Sequence, residues 1–599
     1  MSLPPGIPFL ARFLISISIP LLFVLACARH FTFPPWLTLV AAFLGIPAWP
    51  VVSYLVNEWR IAGAAARHGA VFPPRWQASI GGLDIIRTMV DSFLHGYLAD
   101  CFWDKIVELG PTYEFWPLWE RNYFTSDPNV IKCVLSTDFT SYVKGPIFYR
   151  QMQSVLGDGV FNSDGDMWKF HRSMTRPFFS KDRISHFELF DRHAEVAISK
   201  MKERFLAGYA VDFQEVLSSF TLDTGSEYLF GVCVNSLREP LPYAHNACPA
   251  TPVSPVPAAS TESFASAFAG AQHVVGARTR IGWVWPLLEI TREHSAPHMR
   301  VVDAFLRPII AEALSKNERL TQESKGLDAS EGETLLDHLV QFTNDPVVIH
   351  DEVLNILIAG RDTTSSTLTT LVYFLSMHPT VLQRLRSEIL QHVGPHRRPT
   401  YDDIREMKYL RAVLNETMRL YPIVNVCRPL NIRASVRDTT IPNPDPNGKP
   451  IFVPAGTQVW YSVFLMHHMS KYWGPDSMEF DPDRFLDERV ARYLIANPFI
   501  FLPFNAGPRI CPGQQFAYNE MSFFTIRLLQ RFSAIVLVPD AHPPGSLPPK
   551  EWAGLPGRKG IERFWPKVHL TVYSNGGLWV RMTPAEYEDG AHEADEDKL

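Results

Sequence analysis

FLPFNAGPRICPGQQFA, residues 501–517, is the stretch whose reading decides the fold. Cys511 stands between Gly507 and Gly513, with Arg509 two residues before it. The adjoining run, GQQFAYNEMSFFTIRLLQRF, has apolar residues at helical spacing. The pattern therefore predicts a cysteine just ahead of a helix N-terminus, where the helix dipole and free backbone N–H groups stabilise a thiolate. Gly507 and Gly513 would allow tight turns and the close approach of a flat cofactor to the backbone. A cysteine in isolation reads as one more buried core residue. The neighbours of this one argue for a ligand.

Upstream lie four further patterns. FDPDRF (480–485) precedes the cysteine stretch, and NETMR (415–419) precedes that in turn. Glu416 and Arg419 stand three apart on one helical face and can pair with each other, which alone would describe an ordinary surface contact. AGRDTTS (359–365) lies inside a long helical pattern running from about Val347 to His378 and ending before Pro379. Gly360 costs that helix about 1 kcal/mol relative to alanine, and the plainest reason for it would be a packing notch between helices. Thr364 and Ser365 are expected to bond back to helix carbonyls. WKFHR (168–172) supplies Trp168 and Arg172, with His171 as a neighbour.

Phe504, Gly507, Arg509, Cys511 and Gly513 are in register with F-x-x-G-x-R-x-C-x-G, and the stretch resembles the haem-binding signature of the cytochrome P-450 family. The other patterns occur in that family's order, and the resemblance covers about Ala70 to Met582. It implies a mainly α fold with small β-sheets, the cytochrome P-450 fold, in which Cys511 is the proximal ligand of haem iron. Arg509 would pair with a haem propionate, Phe504 would pack beside the ligand sulfur, and Trp168 and Arg172 would face a propionate. Pro512 departs from the larger aliphatic residue common in the family and alters cofactor-side packing. Glu416, Arg419 and Arg484 would form the family's buried structural network. Gly360 would open a groove for dioxygen, and Asp362 and Thr363 would be the acid-alcohol pair that delivers protons there. Arg361 would point out of the cavity. Arg428 and Arg433 both lie where the family has another propionate contact, and spacing does not choose between them.

The N-terminal region is of a different kind. Phe9 to Ala28, FLARFLISISIPLLFVLACA, is apolar except for Arg12 and long enough to cross a bilayer. Phe33 to Leu55 is also apolar but carries Pro34, Pro35, Pro47 and Pro50, which leaves a second span, a re-entrant hairpin or an interfacial segment open. Residues 1–60 are thus expected to be a membrane anchor, and Arg60 and Arg67 favour a cytosolic face for the domain beyond it. A haem domain would occupy 61–584, with a Pro/Ala/Ser-rich insertion at 239–263. The acidic residues 585–599 read as a solvated, disordered tail.

Over all 599 residues, 46% hydrophobic content excludes general disorder. A net charge of -6 with no basic stripe argues against a nucleic-acid partner. Seven scattered cysteines without a paired C-x-x-C spacing suggest a reducing compartment. With 88 residues after Cys511 and no Gly-rich nucleotide fingerprint, electrons should come indirectly from NADPH through a separate partner, NADPH-cytochrome P-450 reductase. The resemblance then implies a monooxygenase in the endoplasmic reticulum membrane, its catalytic domain facing the cytosol. It would act on a lipophilic small molecule, a long-chain fatty acid or alkane in the manner of fungal microsomal hydroxylases. Tailoring of a fungal secondary metabolite such as a terpenoid is the alternative. A haem-thiolate isomerase or a non-enzymatic haem protein is more remote.

Overall fold

A computed structural model describes residues 3–179, 187–247, 263–322, 334–422 and 430–586. It is helix-rich with small sheets, as expected. The long helix spans Pro346–Met377, starting on Asp345, whose side chain accepts from the Val347 N–H, and stopping before Pro379. Nearly all of its last three turns is buried, so the helix is enclosed on every side there. Against it pack the helices Phe213–Phe230, Lys408–Leu420 and Gln514–Arg531, so the cysteine helix and the AGRDTTS helix meet inside one core.

A five-stranded sheet lies to one side, in the order Thr112–Phe115, Asn122–Thr125, Gln458–Tyr461, Asn431–Ser435, Tyr142–Val143. Its fourth strand pairs antiparallel with the third, Ile432 opposite Trp460. Because strand side chains alternate, Asn431 and Arg433 share one face, and that face is turned to the central cavity. Trp579–Pro584 lies between Phe532–Leu537 and Val211–Asp212 in a second, three-stranded sheet.

The two apolar N-terminal stretches are continuous helices, Gly6–His30 and Pro35–Arg67, both long and apolar enough to cross a membrane. Pro47 and Pro50 lie inside the second helix, which rules out a re-entrant hairpin. The pair packs side by side: a Cβ on Gly45 would come 3.1 Å from Val24 Cγ2. The last turns of the second helix are gripped by the domain that follows it, where Glu58 meets Arg121 at 2.7 Å and Ala64 and Ala65 pack on Phe452. The first helix begins against the same domain, Gly6 touching Ile290 and Phe9 standing 5.8 Å from Trp283. Both ends of the hairpin thus return to one body.

Of the expected insertion, residues 239–247 are described and run along the domain surface, where Lys200 donates to the Glu239 carbonyl at 2.6 Å. Residues 248–262, and all of the expected tail beyond 586, lie outside the described residues.

Candidate active site

Gln514–Arg531 begins three residues after Cys511, so the thiol sits just ahead of a helix N-terminus. The loop before it is held by backbone geometry: Gly507 adopts φ 70°, and a Cβ there would fall 1.8 Å from the Leu135 carbonyl oxygen, a position only glycine can fill. The Cys511 N–H donates to the Phe504 carbonyl at 3.1 Å, which folds the loop back on itself. Phe504 packs against Tyr518, the rings tilted by 51° with centroids 5.1 Å apart. Burial pushes the Cys511 thiol up to about 11, opposed by the Gly513 N–H and the Arg172 guanidinium. A metal coordinated at the sulfur would offset that cost of ionisation.

Cys511, Phe504 and Gly513 line a cavity of about 270 Å³ that Gly360 and Thr363 from the long helix also line. A Cβ on Gly360 would find nothing within 4 Å, so this glycine is no packing notch: it keeps the cavity open. Thr363 faces the cavity with its hydroxyl donating to the Ala359 carbonyl at 2.6 Å. Thr364 departs from expectation. Its hydroxyl bonds to no helix carbonyl among the described residues; the residue lines the cavity instead. The hydroxyl is directed at Glu520 on the cysteine helix, whose carboxyl burial pushes up to about 8 against the pull of Thr364. Asp362 points away from the cavity, held by Arg361 at 3.2 Å, and burial raises its carboxyl pKa against the pull of Arg361 and Gln272. Arg361 lies outside the cavity, as expected, bonded to Ser218 Oγ at 2.6 Å.

Guanidinium groups gather at one end. Arg509 and Arg433 line the cavity beside Arg172 and Trp168. Arg509 stacks 4.5 Å over the Trp168 ring and pairs with Asp164 at 2.8 Å, while its Nε has no partner among the described residues. Burial and the neighbouring Arg433 lower the Arg509 pKa to about 10. Arg433 is 4% exposed, donates to the Ile432 carbonyl, and has no carboxylate in pairing range among the described residues. Such a surplus of buried positive charge calls for an anion, and the two propionates of haem fit it. The site thus suits the cofactor at both of its poles, sulfur and carboxylate. Arg172 donates to the Ile510 carbonyl at 2.6 Å, bracing the cysteine loop as well as lining the cavity. Between the two arginines that spacing left open, Arg433 reaches the cavity; Arg428 lies outside the described residues.

Glu416, Arg419 and Arg484 come together in one buried cluster. Arg419 meets Glu416 through two bonds of 2.6 and 2.8 Å, and Arg484 Nε stands 3.6 Å from Glu416, all three side chains at most 1% exposed. Arg419 also donates to the carbonyls of His467, Ser477 and Glu479. Sequence reasoning missed His467. It accepts from the Leu502 N–H through Nε2 at 3.1 Å, so its proton sits on Nδ1, which donates to the Arg419 carbonyl. This neutral ring, its pKa driven far down first by burial and then by Arg419, joins the network to the start of the cysteine stretch. Asp164 was missed too; its place four residues before Trp168, at the mouth of a helix, was the available signal.

Comparison with known proteins agrees with the geometry. The sequence profile of the cytochrome P-450 family matches residues 95–554. The chain is similar to cytochrome P-450 52E2 of Candida apicola, 36% identical over 483 residues, which cover 80% of this chain and 88% of that protein. It is similar to cytochrome P-450 52A3-A of Candida maltosa, 34% identical over 76% of this chain and 80% of the relative. Cytochrome P-450 monooxygenase pvhE of Talaromyces variabilis is 34% identical over 69% of this chain and 75% of its own length.

Proposed function

The chain belongs to the cytochrome P-450 family, and from that premise we propose that it is a membrane-anchored monooxygenase that hydroxylates a long-chain fatty acid or alkane. One observation carries the reading: a single cavity lined by Cys511, a surplus of guanidinium groups, the bare Gly360 and Thr363. When bound, haem supplies reductive activation of dioxygen and transfer of one oxygen atom to a C–H bond.

The residues of this chain do the rest. Cys511 would hold the iron, and Arg433, Arg509 and Arg172 with Trp168 would hold the carboxylates. Gly360 leaves room over the ring, and Thr363 presents a hydroxyl whose proton, now donated to the Ala359 carbonyl, can turn into that room. Asp362, its pKa raised by burial, is held outside the cavity by Arg361 and would exchange a proton with that hydroxyl only on turning from Arg361. The remaining wall excludes water with Phe148, Met152, Leu156, Phe161 and Leu229, a lining that suits an aliphatic chain. The paired apolar helices would keep the domain at the endoplasmic reticulum membrane, from which such a substrate partitions, with the domain on the cytosolic face. NADPH-cytochrome P-450 reductase would supply electrons.

Full-length protein reduced under carbon monoxide should give the thiolate-type spectrum, and with NADPH and the reductase it should hydroxylate fatty acids or alkanes. Turnover confined to terpenoids would favour the tailoring alternative. Rearrangement of a peroxide without NADPH would replace the monooxygenase reading with the isomerase one.

A further inference from the structure

The long helix does more than carry Gly360 and Thr363. One to three turns before them, three inward side chains take hold of the loop 157–161. Asp351 Oδ2 accepts from the Asp158 N–H at 2.8 Å, Glu352 Oε2 from the Val160 N–H at 3.0 Å, and Asn355 Oδ1 from the Phe161 N–H at 2.9 Å. Asn355 Nδ2 donates back to the Leu156 carbonyl at 2.8 Å. The loop comes so close that a Cβ on Gly157 would collide with the Asp351 carboxylate and one on Gly159 with the Asn355 amide. Leu156, Val160 and Phe161, carried in and beside this loop, line the cavity. Glu352 also meets His171 Nδ1 at 2.7 Å, with both side chains at most 1% exposed, and His171 stands on Gly165–Thr175 between Trp168 and Arg172.

These bonds are directional and address backbone N–H groups, so they fix where the loop sits along the helix, not merely that it is covered. A carboxylate as deeply buried as Glu352 is costly unless such donors hold it. The loop has no helix or strand; its own turn bonds, from Asn162 and Ser163 to the Gly159 carbonyl, shape it but do not attach it to the long helix. We propose that Asp351, Glu352 and Asn355 are positioning residues that set the substrate-facing wall in register with the oxygen-side groove, and that through His171 Glu352 ties this wall to the helix bearing Trp168 and Arg172. The position at which a bound chain is oxidised then depends on side chains that never touch it. The inference rests on the monooxygenase reading only in its last consequence; the clamp itself is a property of the chain.

The test uses the haem-loaded full chain and Asn355→Ala, with Asp351→Asn as a second variant that keeps an acceptor oxygen and leaves the fold less exposed to failure. Amide hydrogen exchange over 157–161 should be slow in the unmodified protein and several-fold faster in Asn355→Ala, with little change in Asp351→Asn. With hexadecanoic acid, Asn355→Ala should spread hydroxylation over more carbons while the carbon monoxide spectrum stays normal. Unchanged exchange in Asn355→Ala would overturn the clamp. Faster exchange with an unaltered product pattern would leave it a stability element and overturn its positioning role. Lack of a thiolate-type spectrum in the unmodified protein would instead defeat the haem reading, and the exchange arm would still decide the clamp.

Discussion

Serine at position 511 would put a hydroxyl of high pKa where the thiol now faces the cavity, and such a group is a poor donor to iron. Cys511→Ser should fold, give no thiolate-type carbon monoxide spectrum and show no oxygenase activity. Thr363→Ala removes a hydroxyl that donates to the Ala359 carbonyl within its own helix, so the loss in stability should be at most about 1 kcal/mol. Haem binding and substrate-induced spectral shifts should persist, while product formed per NADPH falls and hydrogen peroxide per NADPH rises. Wild-type coupling in that variant would make Thr363 a helix residue and no more. Asp362→Asn should slow turnover as a whole, because it removes the titrating group next in sequence to the hydroxyl yet keeps a partner for Arg361.

At the scale of elements, the helix Lys408–Leu420 is locked to the segment Pro482–Phe485 through Glu416. Arg419→Leu would leave that buried carboxylate only Arg484 at 3.6 Å and the Asp481 N–H, and would take the Arg419 donor from three carbonyls. Removing one partner of a buried pair costs about 3–5 kcal/mol, so thermal melts should show a large loss of stability and haem should be released more readily. Between Ala296–Gln322 and the long helix, His350 bridges Asp303 and Asp351, both at 3.2 Å. Burial alone would lower its pKa, but the two carboxylates raise it to about 9. A histidine whose folded pKa is raised contributes fully below its unfolded value near 6.5 and loses that contribution as pH climbs through 9. His350→Gln should therefore cost roughly 1–3 kcal/mol at pH 6 and almost nothing at pH 10, read as the difference between denaturation midpoints across that range. A pH-independent difference would show that the bridge is not ionic.

For the whole molecule, the hairpin Gly6–His30 and Pro35–Arg67 exposes a broad apolar surface, including Phe13, Leu22, Phe43 and Trp59, that suits lipid and not water. A chain started near Arg60 should leave the membrane fraction while its carbon monoxide spectrum stays intact; persistent sedimentation with vesicles would reveal a second contact on the domain itself. Much of this was legible in the sequence. The cysteine stretch announced itself because a loop that holds a thiol just ahead of a helix must satisfy several local demands at once, glycine at Gly507 and a helix start at Gln514, and those demands are written in adjacent residues. The pairing of Glu416 with Arg419 is likewise a matter of helical pitch. What local order leaves open is which distant side chains share a space. That Arg433 reaches the cavity depends on strand register against Gln458–Tyr461. His467 links two elements far apart in the chain, and Thr364 lines the cavity because of how the long helix is rotated in its bundle. Residues 157–161 meet Asp351, Glu352 and Asn355 across about 190 positions of sequence. Periodicity reports the near neighbours of a residue; burial, register and helix rotation are set by the packing of the whole chain, and only the tertiary structure decides them.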